Sequence, residues 1–278
     1  MRALRGGGPL QPRSFDMSLA VQRFPEDVFY YITPEWYKGS EPYFYDVETL
    51  PGTKILRENY EAIRKEVLAF YEAHGSEIRA NFTPYAYEEK GWRTINLYSY
   101  FLRYEENCKK FPVVDAVVRQ IPGMCLAQIA VLEPHTRIKA HFGDTNVIVR
   151  SHLGLLVPGD LPDIGIQVGR QRQCWKEGDV LALQIARRHY AWNGTDKHRI
   201  VLVVDTFRPE YMDRRFAIAG NVLAAIAMKW VATKFPITKK VPRWVPRLVH
   251  KPLGLLFRTQ LWVQRTFGVG PPPPPHHA

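Results

Sequence analysis

Hydrophobic positions change their period along this 278-residue chain, and each change predicts an element. Over residues 58–74, Ile63, Val67, Phe70 and Tyr71 recur at i, i+4, i+7 and i+8. That spacing predicts an amphipathic helix, with Gly75 in the glycine position that follows a helix end. A shorter helix is expected over 112–119, with Val113, Val114, Val117 and Val118 on one side and Ile121-Pro122-Gly123 ending it. From Cys125 to Phe207 the texture becomes short β-rich runs at 125–132, 146–157, 164–168, 180–186 and 199–207. Pro, Gly and Asp clusters such as Val157-Pro158-Gly159-Asp160 separate them. Short strands with turn signals at such spacing argue a sandwich, barrel or jelly roll.

The flanks read differently. Residues 1–23 are Arg-, Gly- and Pro-rich and read as a flexible lead-in, and the aromatic segment 25–51 reads as an arm packed on the core. After Arg214 comes an apolar run, residues 216–228, interrupted by Asn221 and closed by Lys229. A spanning helix needs ~20 apolar residues, so a membrane-crossing segment is disfavoured on this pattern. A basic stretch punctuated by Pro and Trp follows, then five prolines at 271–275, which read as a polyproline II spacer. The expected organisation is a lead-in at 1–23, a domain at 24–213, a basic apolar extension at 214–270 and a proline-rich terminus at 271–278.

Composition sharpens this picture at two points. A hydrophobic content of 46% with 13% aromatic residues excludes a mainly disordered chain. The net charge of +11 is unevenly placed: residues 214–278 hold eleven Lys and Arg and no Asp or Glu, which leaves 27 basic and 27 acidic residues in 1–213. A generic nucleic-acid-binding protein is therefore a weak reading, no groove-reading motif is present, and nucleic acid is not an expected partner. Residues 214–235 fit a helix packed on the domain, and together with the following cations and tryptophans they also fit an anionic membrane surface, contacted peripherally through 214–265. Cys108, Cys125 and Cys174 are widely spaced and odd in number, which suits a reducing compartment. With no apolar run near Met1, the expected location is the cytoplasm, peripheral to a membrane.

Four of the nine histidines are candidates for chemistry: His135, His141, His152 and His189. His141 precedes a predicted strand and His189 follows another, an arrangement in which two imidazoles could hold one divalent metal. Arg150 and His152 are two apart on a strong strand and share a face with Ile148, placed here on the inner side. Arg199 opens the apolar run 200–204, where an unpaired charge would be very costly. It is either a strand-end cation in water or a fork for a ligand carboxylate.

These residues resemble the aspartyl/asparaginyl β-hydroxylases. The resemblance runs through Glu133-Pro134-His135, His141-Phe142-Gly143-Asp144-Thr145-Asn146 and Arg150-Ser151-His152-Leu153-Gly154-Leu155. It continues in Trp175-Lys176-Glu177-Gly178, His189-Tyr190-Ala191-Trp192-Asn193, Arg199 and Asp205-Thr206-Phe207-Arg208-Pro209-Glu210. It implies a mainly β double-stranded β-helix, or jelly roll, with flanking N-terminal helices and a basic, partly helical C-terminal extension. It also implies an Fe(II)- and 2-oxoglutarate-dependent dioxygenase that uses O2 to hydroxylate an unactivated C–H bond. His141 and His189 would hold the iron, Arg199 the distal carboxylate of 2-oxoglutarate, with Arg150, His152 and Trp92 beside the cosubstrate. Ala130 stands where relatives can carry a Ser. Gly143 stands where most oxygenases of this class place a metal-binding acid, which makes a two-His site with Asp144 as the rival third ligand. The acceptor implied first is the β-carbon of Asp or Asn in a peptide or protein. A lipid acyl chain at a membrane surface is the alternative, as is a metal-binding jelly roll without turnover.

Overall fold

Two antiparallel sheets face each other and set the site between them. The computed structural model describes residues 28–32, 37–81, 91–235, 241–242 and 244–268; the lead-in at 1–23 and the prolines at 271–275 lie outside them. The larger sheet runs in the order β1 (Arg79–Ala80), β2 (Trp92–Ser99), β4 (Met124–Leu132), β11 (Arg199–Phe207), β6 (Ile148–Leu156) and β9 (Val180–Leu183), with β3 (Leu102–Arg103) on β2. The smaller sheet runs β5 (Thr136–His141), β10 (His189–Asn193), β7 (Ile164–Val168) and β8 (Gln171–Gln173). Nearest neighbours in sequence are seldom neighbours in the sheets, and this crossing-over between two facing sheets is the jelly roll that the resemblance implies.

Alternation along the central strands explains why the larger sheet has two buried faces. Ile200, Leu202 and Val204 of β11, with Ile129 and Val131 of β4, pack under the helices α1 (Pro51–Glu58), α2 (Tyr60–His74) and α4 (Pro112–Val118). Val201 and Val203, with Ala130, Leu132 and Ile148, point instead into the space between the sheets. Ile148 lies on the inner side, so Arg150 and His152 share the inner face, as alternation suggests.

Several local expectations need correction. The expected helix over 58–74 is α2, starting at Tyr60; a separate helix, α1, precedes it and ends at Glu58, and Gly75 is right-handed at φ −57° and starts a 3₁₀ turn instead of a left-handed cap. A further short helix, α3 (Glu105–Lys110), precedes α4. Strands β2, β5 and β10 were hidden by polar and charged residues between their apolar ones, and β9 ends at Leu183 instead of 186. The aromatic arm packs as expected where it is described: Tyr30 bridges to Thr145, and Phe44 to Leu183.

The extension folds back as a helical hairpin. Helix α5 (Arg215–Lys234) puts Ile218, Ala219, Val222 and Leu223 into the inner core, and α6 (Trp244–Phe267) adds Leu261. His250 Nε2 meets Asn221 O at 2.8 Å and the Arg265 guanidinium lies 3.9 Å from the Phe216 ring centre, so the two helices run antiparallel. A Cβ at Gly220 would lie 2.7 Å from Gly254 O, so glycine here permits close helix approach. The 216–228 run is part of a longer helical segment, Pro209–Lys234, which is long and apolar enough to cross a membrane by length and composition. The sequence pattern understated it because Asn221 and Lys229 interrupt the run without interrupting the helix. Its buried face belongs to the jelly roll's own core.

Candidate active site

His141 ends β5 and His189 begins β10, and the two are direct partners across the antiparallel pair. A register shift between His189 and Ala191 marks a bulge at this end of the ladder. Nδ1 of His141 bonds to Lys139 O at 2.7 Å, and Nδ1 of His189 to Arg187 O at 2.9 Å. Because a carbonyl only accepts, each Nδ1 carries the proton and each lone pair is left on Nε2. The ring centres are 4.2 Å apart at 55°, a separation from which two imidazoles can turn Nε2 toward one ion. Burial pushes both pKa values down, that of His189 to about 4, so both rings are neutral, the form that binds metals.

The next residues decide what else can reach an ion there. A Cβ added at Gly143 would sit 2.6 to 2.8 Å from three atoms of Ile185, so this position holds no side chain without displacing the β9–β10 connection. Asp144 is engaged elsewhere: Lys229 Nζ of α5 donates to its Oδ1 at 2.6 Å, and Tyr31 N–H to its backbone oxygen at 3.0 Å. Lys229 also lies 5.1 Å from the Tyr31 ring centre. Among the described residues no group of three or more His, Cys, Asp or Glu side chains is placed to hold a metal. The donors that converge are therefore the two imidazoles.

Arg199 sits at the start of β11, in register with Leu132 of β4, which in turn pairs with Trp92 of β2. It is 2% exposed, its Nε has no hydrogen-bond partner, and no carboxylate among the described residues pairs with it. Burial accordingly lowers its pKa. The one compensation visible is Trp175, whose ring centre lies 4.4 Å from the guanidinium carbon. The same Trp175 donates its indole N–H to His152 Nδ1 at 3.0 Å, which leaves the His152 proton on Nε2 as a donor. Burial, then the charges of Arg150 and Arg199, keep His152 neutral. A buried guanidinium with unfilled hydrogen-bonding capacity beside a fixed imidazole donor fits a small carboxylate ligand.

Arg150 is placed differently. It faces Asp205 directly across β6 and β11, and Nε and Nη2 donate to the two carboxylate oxygens at 2.8 and 2.7 Å. Burial pushes the Asp205 carboxyl up, and the Arg150 charge opposes that shift. Trp92 lies 6.3 Å, centre to centre, from the His141 ring and walls the site. Tyr100, fully buried, has a hydroxyl without a partner among the described residues and a left-handed backbone at φ 46°. His135 is remote in character: it is exposed on a turn at φ 52° and pairs with Asp196. Trp175 and Asp205 stand in motifs that the sequence marks without disclosing their partners, and Lys229 carries no motif at all.

Known proteins match the sequence over the same stretch. Residues 57–209 match the family model described as aspartyl/asparaginyl beta-hydroxylase. An ornithine lipid ester-linked acyl 2-hydroxylase from Rhizobium tropici is 33% identical over 64% of this chain and 65% of its own length. A human aspartyl/asparaginyl beta-hydroxylase is 30% identical over 56% of this chain and 21% of its own, and an aspartate beta-hydroxylase domain-containing protein 2 from Xenopus tropicalis 30% over 60% and 47%. The chain thus spans less than two thirds of each of these relatives. The family match covers more than half of the chain and every residue of the paired-imidazole site and its buried arginine, and on that ground this chain belongs to the aspartyl/asparaginyl β-hydroxylase family.

Proposed function

We propose that this hydroxylase-family chain is an Fe(II)- and 2-oxoglutarate-dependent dioxygenase. The observation that carries the reading is Arg199, a buried cation with no anionic partner among the described residues, in the same interior as two neutral imidazoles that carry their lone pairs on Nε2. In this reading His141 and His189 hold the iron, and Arg199 takes the distal carboxylate of 2-oxoglutarate. Trp175 holds the Arg199 guanidinium and the His152 ring in place, and His152 Nε2–H donates to the same ligand. Arg150, fixed by Asp205 in a buried ion pair, lines the same interior, and Trp92 walls one side. Lys229 pairs with the Asp144 carboxylate, so the two imidazoles are the side chains that would hold the iron. When bound, iron and 2-oxoglutarate supply the oxidant: O2 and the keto acid are consumed, succinate and CO2 are released, and one oxygen enters a C–H bond.

For the acceptor, the β-carbon of Asp or Asn in a peptide is the first implication of the family resemblance. A lipid acyl chain is supported by the extent of the matches, since the acyl 2-hydroxylase aligns over 65% of its length and the human Asp/Asn hydroxylase over 21%. We take the lipid reading, with the chain working from the cytoplasmic side of a membrane, and its three cysteines are free thiols. Purified protein given Fe(II), ascorbate and 2-oxoglutarate should form succinate, and lipid extracts should gain a product heavier by one oxygen. His141→Ala and His189→Ala should abolish both. Full turnover in those variants would rule out the metal assignment, and a product confined to the peptide fraction would restore Asp or Asn.

A further inference from the structure

Helix α6 has more apolar surface than its packing uses. His250, Gly254 and Leu261 are buried against the rest of the fold. On another side, Trp244, Leu248, Leu255 and Trp262 are 64%, 66%, 60% and 57% exposed. At ~100° per residue these four fall in one stripe along the helix. Arg247, Lys251, Arg258 and Arg265 are exposed and fall in a second stripe beside it. The end of the hairpin extends the apolar surface with Val231, Phe235 and Val241. A hollow of about 320 Å³ between Phe216, Leu255, Arg258, Trp262 and Arg265 continues it toward the other end.

We propose that this hairpin is a docking surface for an anionic phospholipid bilayer, with the apolar stripe in the acyl boundary and the basic stripe on lipid phosphates. Charge favours that occupant: from residue 214 to the last residue there is no Asp or Glu to repel an anionic surface. A second copy is disfavoured by the same fact, because a two-fold interface through this face would set its cations against themselves. Placement adds a consequence. Lys229, near the end of α5, holds Asp144, three residues from His141, so the exposed end of the hairpin lies beside the imidazole pair. Docking would present the mouth of the site to lipid, and in this respect the inference rests on the lipid reading above.

The test uses the full chain and sucrose-loaded vesicles, with neither metal nor 2-oxoglutarate, so its outcome is separate from that of the turnover assay. The chain should sediment with mixed phosphatidylcholine–phosphatidylglycerol vesicles, remain in solution with phosphatidylcholine alone, and be released by salt as the Debye length shrinks to ~3 Å at about 1 M. Arg247→Gln and Lys251→Gln should each weaken partitioning roughly fivefold. Trp244→Glu with Leu255→Glu should lose binding tenfold or more; both sites are exposed, so the core is untouched. Quenching of the wild-type tryptophan emission by acyl-brominated lipid gives a readout that needs no variant. Absence of vesicle binding and quenching, or binding that these substitutions and salt leave unchanged, would overturn the proposal. So would a solution dimer that Leu255→Glu dissociates.

Discussion

Arg199 combines near-complete burial with an unfilled hydrogen-bonding capacity, and this pairing has a thermodynamic signature. Uncompensated buried charge destabilises the ligand-free fold, so replacing it with an apolar side chain of similar length should stabilise it. Arg199→Met is expected to raise unfolding free energy by about 1–4 kcal/mol without ligand, measured by chemical denaturation. The thermal shift induced by 2-oxoglutarate should vanish in the same variant. A loss of stability instead would mean that the stacking on Trp175 outweighs the desolvation of the charge. The buried imidazoles give a second signature. His189 has a folded pKa of about 4 against an ordinary 6.5, so between those values the unfolded chain binds a proton that the folded chain refuses. Stability of the metal-free protein should therefore fall as pH drops through 6.5, by about 3 kcal/mol at pH 4 from this residue alone. His152, also held well below its ordinary value, should steepen the fall, and His152→Asn should flatten it in urea titrations between pH 7.5 and 5.

Among elements, the strand pair β5–β10 brings the two imidazoles together and the hairpin α5–α6 reaches Asp144 beside them, and both were only partly visible in the pattern. Residues 136–141 read Thr-Arg-Ile-Lys-Ala-His, in which alternation is present but only Ile138 is a large apolar residue with a buried side chain. Residues 189–193 alternate buried and half-buried positions over five residues, too few for a clear period. Each strand becomes definite only beside its partner, which is why the facing of His141 and His189 emerges from register and not from spacing. The hairpin depends on Gly220, whose hydrogen faces the Gly254 carbonyl. Gly220→Ala should force the helices apart, lower stability by about 1–3 kcal/mol and open α6 to protease. Limited proteolysis alongside a thermal melt checks this. If α6 stays protected and the melting point is unchanged, the close approach contributes little.

At the scale of the whole molecule, charge and core are divided along different lines. The sequence separates a neutral stretch, 1–213, from a cationic one, 214–278. The core does not respect that boundary, since Ile218, Val222, Leu223 and Leu261 are buried with the inner residues of the jelly roll. A basic, partly helical extension is present as expected, but it is built into the domain and its Lys229 reaches the residue next to Gly143. Truncation after residue 213 should accordingly expose apolar core and leave Asp144 without its cation. We expect that shortened chain to aggregate or to melt well below the full one, measured by light scattering during a thermal ramp. A soluble truncation of unchanged melting temperature would show that the extension is an independent appendage.

Residue chemistry and order along the chain were enough for the fold class and the family, and for naming His141, His189, Arg150, His152, Arg199 and Trp92 as candidates. Those are properties of side-chain type and local spacing, which a linear reading retains. Partnership is not. That Arg150 is bound by Asp205 while Arg199 meets no acid among the described residues depends on which strands lie side by side, with Arg150 and Asp205 55 positions apart. The same holds for Trp175 serving both Arg199 and His152, for Ile185 closing off any side chain at 143, and for Lys229 claiming Asp144 from 85 residues away. Interactions over such separations are set by sheet register and helix docking, and these form only when the apolar faces of distant segments are buried together.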